Sequence, residues 1–406
     1  MDYDLVIIGA TQAGLNLAQK AIAKGQRVAL VQQVSQPLQD IQLQALERVL
    51  LHNAVQSWEQ LQAEIRAAIA PTDFYEPLAK LIEKGVDVIP EHGKFHWRPN
   101  PIFMTEKREL KGNNYAIATD TIWQQTDDPR HLTFPDFLQP QTWKNLQSKI
   151  LFEDITPALL NLAYSLCKQG KQVQFLLGSK FFGAEDQQLT HRLQTFLEVE
   201  GIEVHRNPSK AAKSALLAQE NINIIDGDRL QGNIANLNLP PRCFRGEQQW
   251  LWVNHRLQTS ASNIYGCGAV LGGYNLPEVA IAETSYLAQS ITEKKAQPCP
   301  YHLVPYRLFE PYPFDHVGYQ QKDLPSDGIT LEKAFYFDYV DQLHFPFDLT
   351  VKLWLTAERK FLGATVLGDR SGKLIYHCRD LIQTQQTFES WQNLLEYSGI
   401  AAEICW

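Results

Sequence analysis

No cysteine precedes position 167 in this chain of 406 residues, and the six present (Cys167, Cys243, Cys267, Cys299, Cys378 and Cys405) stand far apart. No C-x-x-C or zinc-ligand spacing occurs, so neither a structural zinc site nor any other metal site is expected. Isolated thiols of this kind fit a reduced, cytoplasmic protein. No stretch approaches the roughly 18 apolar residues that a membrane-spanning helix needs. No basic-then-apolar leader comes before the first apolar strand at residue 4, which again points to the cytoplasm. A basic surplus is lacking as well: 37 Lys and Arg against 45 Asp and Glu leave a net charge of −8. A nucleic-acid partner is therefore not expected, since little is left over to neutralise phosphates.

What is present describes an ordinary globular chain, 44% hydrophobic and 20% charged, too long for a single core. Asp4-Leu5-Val6-Ile7-Ile8 reads as an apolar strand. It runs into Gly9-Ala10-Thr11-Gln12-Ala13-Gly14 and then a helix from Ala13 to Lys24, apolar at Leu15, Leu17, Ala18, Ala21 and Ile22. Gly25 ends that helix, and Val28-Ala29-Leu30-Val31 is the next strand. This is the opening of a dinucleotide-binding βαβ unit. A second strand–helix–strand unit follows a Pro- and Asp-rich connection over residues 121–147: strand Lys149–Phe152, helix Pro157–Gln169, strand Gly170–Leu177. From Pro298 the composition shifts to clustered prolines and aromatic strands, Ala334–Tyr339 and Leu349–Leu355, which should alternate in face as antiparallel strands do. Helical patterns near Gly372–Gln385 and Phe388–Ser398 close the chain.

Two nucleotide-type units followed by a mixed C-terminal region resemble the pyridine nucleotide–disulfide oxidoreductases, the family of dihydrolipoamide dehydrogenase, glutathione reductase and mercuric reductase. The most specific stretch is Thr259 to Gly268, with Ile264-Tyr265-Gly266-Cys267-Gly268 similar to the I-Y-A-x-G of the family's second flavin segment. Val304–Pro311 with Val317-Gly318, and Phe361–Gly368, resemble parts of its dimerisation domain. The resemblance implies an α/β fold with two Rossmann-like nucleotide-binding-type domains plus a C-terminal α+β interface domain. The expected boundaries are residues 1–147 for the FAD-type domain, completed by 255–297, then 148–254 for the NAD(P)-type domain and 298–406 for the interface domain. A homodimer through 298–406 is implied too.

The resemblance also shows where the chain departs. The cofactor-binding positions fall on Gly9, Thr11, Gly14, Gln32, Gly268 and Ala269. Thr11 replaces the glycine that lets backbone approach the pyrophosphate. Gln32 replaces the ribose-binding acid, and Ala269 the ribityl-side Asp. Gln39 and Gln44 fall where the redox cysteines belong. Arg48 takes the slot of the flavin-side lysine and is read as a salt-bridged structural residue, with Asn161 in place of the lysine's usual Glu partner. Asp154–Leu159 has no glycine where the second unit should bind its nucleotide, and Asp154 puts negative charge there. The family's C-terminal catalytic His has no counterpart, so no catalytic residue is assigned. Two lost acids and a blocked approach would together cost about 5–8 kcal/mol if additive. The sequence thus leads to an expectation of a diverged, cofactor-free homologue with NAD(P) binding unlikely. It would be a non-reductase binding or regulatory protein with an unknown protein or small-molecule partner. The alternative is an FAD-dependent NAD(P)H oxidoreductase with a non-disulfide acceptor such as a quinone.

Overall fold

The computed structural model describes residues 2–391 apart from 34–38, 53–56, 70–74, 98–99, 179–181, 183–185, 248, 294–297, 338–346 and 369–370. Two compact units emerge, one of residues Met1–Lys171 with Ala215–Cys299, the other of Gln172–Ser214 with Pro300–Trp406. Among the described residues no helix is long and apolar enough to cross a membrane.

In the first unit, β1 (Tyr3–Ile8) carries four consecutive fully buried residues, Leu5 to Ile8. A strand that is apolar on both faces belongs in the middle of a covered parallel sheet. It lies there, in a five-stranded sheet with β2 (Val28–Val31), β3 (Asp87–Ile89), β7 (Gly112–Ile117) and β16 (Ile264–Gly266), in the order β16-β7-β1-β2-β3. All four pairings are parallel. The β16 register, Ile264 opposite Tyr115 and Gly266 opposite Ile117, brings the second flavin-like segment to the same sheet end as the first turn. Between β1 and β2 runs α1 (Gln12–Ala23), whose apolar stripe packs on the sheet and on α9 (Pro277–Glu293). Helices α2 (Gln39–His52), α3 (Trp58–Ile69) and α4 (Tyr75–Glu83) connect β2 to β3.

A three-stranded antiparallel sheet follows, of β4 (Gly93–His96), β5 (Ile102–Thr105) and β6 (Glu109–Leu110). The connection over 121–147 is more ordered than its composition suggests. Its β8 (Thr121–Trp123) pairs with β13 (Leu230–Gly232), and Pro140 starts a short helix α5 (Pro140–Asn145), a position where a missing N–H costs nothing. Further on, β14 (Phe244–Arg245) and β15 (Trp250–Leu251) form a short ribbon. The second strand–helix element of this unit is β9 (Lys149–Glu153) and α6 (Pro157–Lys168), with β12 (Ile222–Asp226) parallel to β9.

The second unit contains β10 (Gln172–Leu177) parallel to β11 (Glu203–Arg206), with α7 (Gln187–Val199) between them. Then comes α8 (Lys210–Leu217). Its C-terminal part is a five-stranded antiparallel sheet of β17 (Tyr306–Arg307), β18 (Phe314–Gly318), β19 (Ile329–Phe337), β20 (Phe347–Leu355) and β21 (Phe361–Gly368), ordered β17-β18-β21-β20-β19. Helix α10 (Ser371–Gln383) covers one face with Leu374, Ile375, Cys378 and Leu381. The expected one-sided alternation fails in β20, where Leu349 to Leu355 are all buried. The second face is covered too: Lys352 reaches Asp186 at the cap of α7, Nζ to Oδ2 2.7 Å, and Arg192 donates to Thr350 at 2.7 Å. Residues 388–391 are helical; the rest of the helix expected to Ser398 lies outside the described residues.

Candidate functional site

The turn from β1 to α1 is built by two glycines that tolerate nothing larger. Gly9 has φ +116°, and a Cβ there would sit 2.1 Å from the Ala118 carbonyl oxygen. A side chain is excluded twice, by backbone conformation and by space. Gly14 rests on that turn, its virtual Cβ 1.9 Å from the Gly9 oxygen. Thr11 between them is buried and turned inward. Its hydroxyl donates to the Ala118 carbonyl at 2.8 Å and accepts from the Gly14 N–H at 3.3 Å, which makes it the N-cap of α1. The side chain therefore closes the cap instead of standing over it. The positive end of α1 lies at the C-terminal end of β1, the place where a parallel sheet and a helix N-terminus receive a phosphate.

Gly268 and Ala269 meet this turn from β16. Gly268 has φ +80°, and a Cβ on it would come within 2.8 Å of the Ala13 side chain. Its N–H donates to the buried carboxylate of Glu283 on α9 at 2.6 Å, a partner that nothing in the sequence pattern signals. Gln32 is tied in through its backbone, its carbonyl accepting from the Ala10 N–H at 3.0 Å. The next residue, Gln33, takes φ 47° and accepts the Gly93 N–H at 2.7 Å. Thus Gly9, Thr11 and Gly14 are in direct contact, Gly268 meets Ala13 of the same turn, and the Gln32 backbone is bonded to Ala10. Thr119, unremarked in the sequence, closes the same end: it is fully buried, and its hydroxyl has no hydrogen-bond partner. An orphaned buried hydroxyl beside a glycine turn and a helix N-terminus is what a bound ligand's polar group would satisfy. The residues present fit a dinucleotide such as FAD.

Cys267 does not serve as a thiolate here. It is fully buried beside Glu283, and burial together with that carboxylate pushes its thiol far up. Cys299 is pushed up to about 12 by burial and Glu283. All five described cysteines are free thiols.

Helix α2 touches the start of α1. Gln44 Nε2 lies 3.4 Å from Gln12 Oε1 at the start of α1. One turn on, Glu47 accepts a hydrogen bond from Asn161 of α6. The Asn161 partner is therefore Glu47, while Arg48 is exposed. The side chain of Gln39 lies outside the described residues. At the turn from β9 to α6, Thr156 caps α6, and Asp154 is an exposed residue at φ 50°. Partial desolvation of its carboxyl, with Asp228, Asp226 and Glu153 crowding it, pushes Asp154 up to about 6.

No protein-family model matches this chain, and no curated protein matches it in sequence. Solved structures do. The HOCl-induced flavoprotein disulfide reductase RclA from Escherichia coli superposes with a TM-score of 0.73 at 18% identity, covering 95% of this chain and 94% of that one. A cysteine-to-serine variant of RclA in complex with Cu(II) gives 0.74 at 18% identity over 96% and 94%.

These findings overturn two expectations. A non-reductase binding or regulatory protein does not agree with a fold shared end to end with a flavoprotein reductase, and neither does a cofactor-free cleft. The physical reason lies in the turn: the additive cost assigned to Thr11 supposed a side chain blocking the pyrophosphate, and that side chain is folded into the cap. The resemblance to the pyridine nucleotide–disulfide oxidoreductases carried by a few motifs thus extends to the fold of nearly the whole chain.

Proposed function

We propose that this protein is an FAD-dependent reductase. The observation that carries the reading is the intact turn, with Gly9, Gly14 and the Thr11 cap at the N-terminus of α1, in a chain whose fold follows a flavoprotein reductase over nearly its whole length. When bound, FAD supplies two-electron redox chemistry. The chain's own residues bind and orient it. The first turn of α1 receives the pyrophosphate, Gly9 and Gly14 keep the backbone close, and Gln32 meets the ribose by a neutral hydrogen bond. Gly268 and Ala269 border the ribityl side, and the Thr119 hydroxyl gains a partner. Gln39 and Gln44 carry no thiol, so α2 offers no dithiol relay, and the acceptor must reach the cofactor itself.

In this reading residues 1–147 with 255–297 are the FAD-type domain, 148–254 the second nucleotide-type domain and 298–406 an interface domain that pairs two copies. The free cysteines support a reducing compartment such as the cytoplasm. Titration of the full chain with FAD, followed by quenching of flavin fluorescence, tests the reading. Saturable binding at micromolar or lower concentration is expected; no binding by a folded chain refutes it. Sedimentation at micromolar concentration tests the pairing, with a dimer expected.

A further inference from the structure

Just past the end of β16 the backbone changes partner. Cys267 still donates its N–H to the Ile117 carbonyl of β7 at 3.0 Å. Gly268 turns to φ +80°, and its buried N–H goes to Glu283 Oε2 at 2.6 Å instead of to a strand. A buried N–H needs an acceptor, and a carboxylate is a strong one. Glu283 comes from the second turn of α9 and is itself enclosed, 4% exposed. Gly268 also starts the single turn Ala269–Leu271, its carbonyl accepting the Leu271 N–H at 3.0 Å. On its other side it faces Ala13 at the beginning of α1. Helix α9 is fastened to α1 in turn: Lys20 Nζ donates to Ser285 Oγ at 2.6 Å, Thr284 Oγ1 at 3.1 Å and the Ile281 carbonyl at 3.2 Å. The helix that Lys20 ties to α1 is thus the helix that holds Gly268.

We propose that Glu283 is a positioning residue of the cofactor site, holding the Gly268 turn against α1 so that FAD meets both flavin-like segments already in place. The proposal rests on the FAD reading above. Glu283 acts through the Gly268 backbone, by its reach and its hydrogen bond. Without that acceptor, a glycine has more backbone freedom than any other residue, and the turn Ala269–Leu271 moves with it. A site already held in its binding geometry spares the ordering that a loose one must undergo when ligand arrives.

The test is the FAD dissociation constant of the full chain, read by quenching of flavin fluorescence, in wild type, Glu283→Gln, Glu283→Asp and Lys352→Met, each with its urea midpoint. Glu283→Gln keeps the length and an acceptor oxygen and should bind within about threefold of wild type. Glu283→Asp keeps the charge but is one methylene shorter, which draws the acceptor away from Gly268, and should bind about tenfold more weakly. Lys352→Met, in the other unit, lowers stability without touching Gly268 and should stay within about threefold. Wild-type affinity in Glu283→Asp overturns this inference and leaves the FAD reading standing. Glu283→Gln as weak as Glu283→Asp overturns it too, by making charge the cause in place of reach. A loss in Lys352→Met that matches Glu283→Asp also overturns it, since affinity then follows overall stability. Failure of the folded wild type to take up FAD removes both.

Discussion

Gly14 packs on Gly9 so closely that one methyl group on Gly14 would lie 1.9 Å from the Gly9 carbonyl oxygen. Helix α1 and the turn that feeds it are therefore one rigid piece, and Gly9 is in turn pressed against Ala118 and Thr119 at the end of β7.

Gly14→Ala should consequently force the helix off the turn. The expected loss of stability is about 1–3 kcal/mol, the cost of overpacking a filled site. Urea denaturation checks it, and FAD affinity should fall in the same variant because the helix N-terminus shifts.

Thr11→Val keeps the shape but removes the hydroxyl. Two bonds go, the cap to the Gly14 N–H and the donation to the Ala118 carbonyl. A loss of about 1–3 kcal/mol is expected, and Thr11→Ser should recover most of it. If Thr11→Val is as stable as wild type by the same denaturation, the capping role assigned here is wrong.

Much of this architecture could be read from residues alone. The apolar run Leu5–Ile8, the helix stripe ending at Gly25 and the Ile264-Tyr265-Gly266 segment each carry a local period or turn signal, and the two strands land in the first sheet with the helix packed on it. What the residues could not convey was orientation. Thr11 in a glycine slot reads as obstruction, because a one-letter pattern does not say whether a side chain points at the ligand or into the cap. The Glu283 contact to Gly268 and the Glu47 contact to Asn161 join segments 15 and 114 residues apart with no periodic signature. The two-sided burial of β20 was hidden for the same reason, since Lys352 looks like a surface residue until Asp186 comes to meet it.

That buried ion pair supports a third prediction. Both side chains are almost wholly enclosed, 4% and 1% exposed, and Gln188 accepts a further bond from Lys352 at 2.7 Å. Lys352→Met leaves Asp186 buried without its counter-charge, at a cost of about 3–5 kcal/mol. The double variant Lys352→Met/Asp186→Asn should be more stable than the single one. A single variant that melts like wild type would show that the pair contributes nothing.

His316 makes stability depend on pH. It is fully buried, with Nδ1 2.7 Å from the Thr365 hydroxyl and Nε2 3.2 Å from the Gly318 carbonyl. Burial keeps the ring neutral and lowers its pKa to about 4 from the ordinary 6.5, against the pull of the Gly318 carbonyl and of Asp323. The unfolded chain thus binds a proton more readily than the folded one. The stabilising effect is complete above about pH 6.5 and is lost as the pH falls toward about 4, by an amount on the order of 3 kcal/mol. Urea midpoints of wild type should drop across that window more steeply than those of His316→Asn. Parallel profiles would remove His316 as the cause.

The central claim, that the turn of Gly9, Thr11 and Gly14 holds a flavin, is tested most directly by the visible absorbance of the full chain after incubation with FAD and removal of excess by gel filtration. The account predicts a flavin band that elutes with the protein at close to one FAD per chain, and one that is much reduced in Gly14→Ala. A folded wild-type chain that elutes colourless would contradict it.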